Sequence, residues 1–414
     1  MSLTADTGTS SPFHLVGKLL DPASRADPYP IYAEFRALGP VWIEEIAGAV
    51  VTGYRDCETL LRDPRMSADR AERFGSDPYP PDAPSSIRQP WFLSMDAPDH
   101  TRLRRLVSGA FTARVVSRME ESVARLVEES FDRAGEGETF DVVSGLAGPL
   151  PVTVICRLLG VPQADERLFL RWSAQLTRLL DGFADPAGDD PEWAAGMLEM
   201  HRYVNDLVAD RRRSTRGDDL ISELLAARDG GDVLSHDELV STIVLLLVAG
   251  HETTVNLIAN GVLALLRHPA HLAALRADPV LAPAVVEEVL RHDPPVQLTA
   301  RVATQDLRLG TAEVPAGGGV ILLLAAAHRD PEANPDPDRF DPGRAQVRHL
   351  GFGFGPHFCL GAPLARLEGR LALAAFARRM RRPELVADPP PYREHINLRG
   401  VSELVVGHAG VARG

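Results

Sequence analysis

The chain is 414 residues long, 45% hydrophobic and 24% charged, with a formal net charge of −13 at pH 7. An acid excess of this size argues against broad nucleic-acid binding. Cys57, Cys156 and Cys359 are too far apart for a CxxC-type zinc site, and as unpaired thiols they suit a reducing compartment. The start, Met1-Ser2-Leu3-Thr4-Ala5-Asp6, has no basic segment leading into an apolar core, so no secretion signal is expected. The longest apolar runs, 243–249 and 320–327, fall short of the eighteen or so residues that span a bilayer. These features predict a cytoplasmic protein with no membrane segment.

In chain order, residues 1–26 read as an N-terminal tail and 27–414 as a single domain, because no linker, repeat or low-complexity tract divides them. Periodicity and punctuation place a helix at 28–38, short hairpin strands at 41–43 and 50–52, and a helix at 55–61. Residues 67–91 are rich in Pro, Gly, Asp and Ser and too long for a plain connection, which suggests a binding loop. From 98 to 279 the chain reads as mostly helical with a break at 181–188. His100 and Arg104, four apart, share a helix face there. The apolar stretch 237–267 predicts one long buried helix. A helix at 282–292 is stopped by Asp293-Pro294-Pro295. Short strands follow between 296 and 324, then a proline-rich meander at 330–348, a helix at 360–380, and a strand-like run at 398–406.

Two segments break the pattern around them. In the middle of the long apolar helix lies Ala249-Gly250-His251-Glu252-Thr253-Thr254, and an acid and two threonines in a buried helix tend to mark function. The Thr253 hydroxyl can bond back to the Ala249 carbonyl and loosen the ladder enough for a small ligand such as dioxygen. A zinc-protease reading fails because HExxH would need a second histidine where Val255 stands. The other segment is Phe352-Gly353-Phe354-Gly355-Pro356-His357-Phe358-Cys359-Leu360-Gly361, a glycine-rich loop running into an apolar helix. It lacks the third glycine of a GxGxxG loop and follows no βαβ strand. Free N–H groups at the helix start favour a thiolate, the glycines allow close approach of a flat cofactor, and Cys359 therefore suits heme iron. Cys57 and Cys156 read as buried structural cysteines.

Together the two segments resemble the cytochrome P-450 family, and the likeness extends from about Asp27 to Val406. The resemblance implies a mainly α fold with a small β-rich lobe and a long central helix over heme. It implies heme b ligated by the Cys359 thiolate, with Ala249, Phe352, Gly353 and Gly361 against the cofactor and His100, Arg104, Arg301 and His357 on its propionates. Glu252 becomes the proton-relaying acid and Thr253 the alcohol that steadies oxygen. Glu288 and Arg291, three apart on one helix, would join Arg339 in a structural triad. The implied activity is insertion of one atom of O2 into a small organic substrate. No flavin or nicotinamide motif is visible, so electrons from NAD(P)H would arrive through a ferredoxin and its reductase, docked on a basic patch of Arg102, Arg105, Arg344 and Arg348 around the cysteine loop. A monomer is expected. Pocket walls are expected from 67–91, 182–188, Val248 and Ala249, Val296, Gln297, Leu298, Thr299, and 396–398 including Asn397. Gln297 and Thr299 would bond an oxygenated ligand of polyketide or macrolide type. The alternatives are oxidative coupling or ring closure on an aromatic or carrier-bound substrate, and a heme protein that senses a ligand without turnover, which would not need Glu252 and Thr253.

Overall fold

The computed structural model describes residues 11–69, 82–134, 137–172, 191–214 and 217–413. The expected break at 181–188 and the part of the binding loop at 70–81 lie outside them. Nine helices position the site: α1 (Pro12–Leu20), α2 (Tyr29–Leu38), α3 (Asp99–Ser108), α4 (Ala113–Arg133), α5 (Pro149–Leu159), α6 (Pro191–Arg213), α7 (His236–Arg267), α8 (Ala282–His292) and α9 (Ala362–Arg379). At the start of α7, the Ser235 side chain accepts from the Glu238 N–H and the Glu238 carboxylate from the Ser235 N–H, a capping box that satisfies two otherwise orphaned donors. It runs 32 residues and is buried on nearly every side, packed by α5, α6, α8 and α9. By length and composition α7 could cross a membrane, a point the run lengths alone did not suggest. In the fold, 83% of its most apolar window is enclosed by protein.

The β-rich lobe is a five-stranded sheet of β1 (Val41–Ile43), β2 (Gly48–Val51), β3 (Met66–Ser67), β4 (Thr299–Ala303) and β5 (Gly319–Leu322), in the order β1-β2-β5-β4-β3. Strand β2 runs parallel to β5 and the other pairs are antiparallel, so the sheet joins the first sixty-odd residues to the segment after α8. The run at 398–406 forms a strand only at Val405–Gly407, and its earlier part is held by the single bridges Val296–Leu398 and Tyr392–Val401.

Residues 12–26 are not a tail. Pro12 follows the Ser11 cap, Leu15 and Leu19 of α1 bury against Tyr32 and Phe35 of α2, and Arg25 donates to the carbonyl of Glu394 at 2.8 Å. Two buried leucines and an arginine clip are enough to order a segment whose composition is otherwise loop-like.

Candidate active site

Loop 352–361 is shaped by its glycines. Gly353 and Gly355 have φ of +69° and +70°, and a β-carbon at Gly355 would lie 2.8 Å from the Leu61 carbonyl. The Cys359 N–H donates to the Phe352 carbonyl at 2.8 Å, folding the loop back so that the sulfur sits just before α9. Burial pushes the Cys359 thiol up, while the N–H groups of Gly361 and Ala362 and the charges of Arg104 and Arg366 oppose it. A metal cation would reverse that balance by displacing the proton. At Gly361 an added β-carbon would meet no protein atom nearer than the Cys359 sulfur, at 4.0 Å. Protein packing therefore gives no reason for glycine here, and a flat group on the sulfur does.

Donors converge beside the sulfur. The His100 and His357 rings lie 4.0 Å apart, centroid to centroid, and the buried Nε2 of His100 has no protein partner. Arg104 donates to the Phe358 carbonyl, next to the cysteine. Arg301, on β4, donates to the Ala300 carbonyl at 2.8 Å and the Thr299 hydroxyl at 3.1 Å. Burial, then the neighbouring His100 and Arg301 charges, push His357 down to about 3. His100 is lowered by burial and by Arg104 and Arg301, with Asp96 opposing. A cluster of donors that depress one another fits an anion, and the two carboxylates on the edge of a heme suit it in charge and chemistry.

Between Leu239 and Leu265 the only positions of α7 that are not buried are Ala249, Gly250 and Thr253, which share one helical face. The expected back-bond is present: Thr253 Oγ1 donates to the Ala249 carbonyl at 2.8 Å, and the helix remains continuous through it. Ala249 and Leu360, the neighbour of Cys359, pack against the same apolar cluster. Glu252 is buried. Its partner, which sequence reasoning missed, is Arg393 of the C-terminal loop, with Nε 3.0 Å from Oε1.

The triad forms with a different third member. Glu288 and Arg291 are fully enclosed and meet through two 2.8 Å hydrogen bonds, and Glu288 also accepts from the Asp341 N–H at 2.7 Å. The second arginine is Arg344, at 3.2 Å. Arg339 contributes only its carbonyl, which accepts from Arg291 at 2.9 Å and from Arg344 at 2.6 Å, and its exposed side chain faces Asp341. The turn 341–344 swings Arg344 inward, and charge spacing in a proline-rich meander carries no signal of which arginine turns in. Arg344 therefore leaves the basic patch, as does Arg102, which is paired with Glu238. Arg105 is engaged by Asp229 but exposed, and Arg348 is exposed.

Three pocket assignments do not fit. Gln297 is buried with its amide already satisfied, accepting from the Tyr32 hydroxyl at 2.9 Å and donating to the Pro294 carbonyl at 2.7 Å. Leu298 packs with Tyr32 and Phe35 of α2, on the side of the lobe stabilised by α1 and α2. Asn397 accepts from the Leu298 N–H at 3.3 Å, pinning the C-terminal loop to this strand. Val248 is packed in the α5–α6–α7 core, Val296 is half-buried, and Thr299 is half-buried beside Arg301.

The family model for cytochrome P-450 matches residues 11–396. The chain belongs to the cytochrome P-450 family. Among curated P-450s it is 42% identical over 408 residues to the monooxygenase PikC of Streptomyces venezuelae, covering 94% of this chain and 92% of that one. It is 39% identical over 393 residues to 6-deoxyerythronolide B hydroxylase of Saccharopolyspora erythraea, covering 92% and 96%. The ligand-free crystal structure of Mycobacterium smegmatis CYP164A2 superposes with a TM-score of 0.85 at 48% identity, covering 95% of this chain and 99% of that one. The fold is thus the α+β arrangement of P-450s, and the chain is a P-450 monooxygenase by family.

Proposed function

We propose that this P-450 is a tailoring hydroxylase or epoxidase that inserts one atom of O2 into a polyketide or macrolide-like substrate. The observation that carries the catalytic part is the presence of two features that packing does not require: a cysteine two residues before a glycine with open space, and a buried helix that between Leu239 and Leu265 is left uncovered only at Ala249, Gly250 and Thr253. In this reading Cys359 ligates the iron of heme b, and His100, Arg104, Arg301 and His357 hold its propionates. Bound there, the thiolate-ligated heme supplies dioxygen activation.

The chain's own residues do the rest. Thr253, whose hydroxyl hydrogen goes to the Ala249 carbonyl, offers its oxygen as a fixed hydrogen-bond acceptor at the open face. Glu252 holds and releases a proton one residue away. The apolar walls of α5 and α7 exclude bulk water. Electrons come from NAD(P)H through a ferredoxin and its reductase, received by a chain that is a cytoplasmic monomer. The name of the 39%-identical hydroxylase, an erythronolide enzyme, supports the substrate class. The test is a spectral-shift screen of the heme-loaded protein against a natural-product library, followed by turnover under 18O2. Incorporation of one labelled atom into a macrocyclic hit supports the reading, and tight binding without labelled product would leave a ligand-binding protein instead.

A further inference from the structure

Glu252, Asn256 and Asn260 recur every four residues along α7, so they share one side of the helix, and all three are buried. The C-terminal loop 392–401 covers that side. Arg393 brings Nε to 3.0 Å from Glu252. A β-carbon at Gly400 would fall 2.0 Å from Oδ1 of Asn256. Asn260 donates to the carbonyl of Arg399 at 3.2 Å and to that of Asp293 at 3.1 Å.

This seam is polar yet short of hydrogen bonds. Both amide atoms of Asn256 and Oδ1 of Asn260 are shut from solvent with no protein partner, and Arg393 Nε and Glu252 Oε1 stand at ion-pair distance without an aligned N–H. Such atoms are costly to leave unsatisfied, and ordered water is the usual remedy. Arg393 also remains 25% exposed, so a single side chain reaches from solvent to the buried acid. On the other side Glu252 is closed in by His251, whose Nδ1 is 4.0 Å from Oε2 and whose Nε2 faces the Gly148 carbonyl at 3.1 Å.

We propose that the seam between α7 and the 392–401 loop is a water-lined proton inlet to Glu252, with Arg393 the positioning residue at its mouth and Asn256 holding the water beside the acid. The inference rests on the role given to Glu252 above. A hydronium at the mouth transfers its proton along the water to the Glu252 carboxylate and is left as water. The carboxylate becomes a neutral acid, then returns to the anion when it passes the proton toward Thr253. Arg393 keeps its own charge throughout, because guanidinium does not deprotonate in proteins.

The test uses heme-loaded Arg393→Met, which keeps the stem and drops the donors, beside Arg393→Lys, Asn256→Leu and Glu252→Gln. The first readout is the solvent deuterium isotope effect on product formation. It should rise twofold or more in Arg393→Met and Asn256→Leu, and stay near wild type in Arg393→Lys. The second needs no turnover: a high-resolution crystal structure of the wild type should place ordered water on the Asn256 amide with contact to Arg393. A dry seam overturns the inlet even if a variant fails to load heme. So does an isotope effect that rises in Glu252→Gln but not in Arg393→Met. An isotope effect unchanged in Glu252→Gln overturns the role of Glu252 itself and the inlet with it.

Discussion

Thr253 is half-buried between the buried Glu252 and Thr254, and the bond of its hydroxyl to Ala249 fixes where it points. Thr253→Ala removes a hydrogen bond and little volume. Heme content and substrate affinity should hold, while product formed per NADPH consumed falls roughly fivefold, the equivalent of about 1 kcal/mol in partition. Unchanged coupling would assign the task to Thr254 or to a substrate hydroxyl. Cys359 allows a sharper spectroscopic check. Thiolate ligation gives the reduced, carbon monoxide-bound protein its red-shifted Soret band, and Cys359→Ser should lose that band while the far-UV helical signal remains.

At the scale of elements, Glu288 accepts from four donors, two from Arg291 on its own helix and two, Arg344 and the Asp341 N–H, that tie α8 to the meander before the cysteine loop. Arg291→Ala would strand a fully buried carboxylate, at a cost of about 3–5 kcal/mol. Arg344→Ala should cost less, because two donors from Arg291 and one from Asp341 remain, and Arg339→Ala should stay within about 0.5 kcal/mol as an exposed side chain. Urea midpoints and the heme-to-protein ratio decide the order. If Arg339→Ala proved as damaging as Arg344→Ala, the assignment of the third arginine would fail.

Next to the triad, Glu287 links α8 to α9 through Arg366, at 2.6 Å, and to His349, at 2.9 Å. Burial alone would raise its carboxyl, but the bonds from Arg366 and His349 outweigh that and hold it at about 2. A carboxyl lowered on folding stabilises the native state above its ordinary value of about 4.3 and loses that contribution as pH falls toward 2. Denaturant stability should therefore drop across that window in the wild type, and Glu287→Gln should flatten the drop while lowering stability near neutrality.

Across the whole molecule, an acidic chain must still receive electrons, and the basic face beside the cysteine loop is narrower than the sequence implied. With Arg102, Arg105 and Arg344 engaged in ion pairs, the exposed arginines left without one are Arg348 and Arg62 among the described residues of this face, the latter stacked 4.0 Å over the Phe354 ring of the cysteine loop. Arg62→Glu with Arg348→Glu should slow ferredoxin-supported turnover several-fold at low ionic strength, with the gap closing as salt rises. Peroxide-driven turnover, which needs no partner, should be unaffected. Equal loss in both assays would indicate damage at the heme site.

What could be read from the chain alone was whatever depends on local chemistry. Helix α8 was bounded to the residue, because Pro294 and Pro295 forbid its continuation whatever packs around it. The Thr253–Ala249 bond follows from i,i−4 geometry, and the pairing of Glu288 with Arg291 from i,i+3. The tight loop that leads through Cys359 into α9 was visible because glycines and a following apolar helix are local marks. Only the tertiary structure could decide which distant groups meet. Arg344 rather than Arg339 reaches Glu288, Arg393 arrives at Glu252 from 141 positions away, and Gln297 spends its amide on Tyr32 and Pro294 instead of facing a ligand. Long flexible arginines carry no periodicity that announces their partners. A polar side chain also reads the same in sequence whether its hydrogen bonds end in the core or in a pocket, so burial and direction, which only the packed chain possesses, settle both.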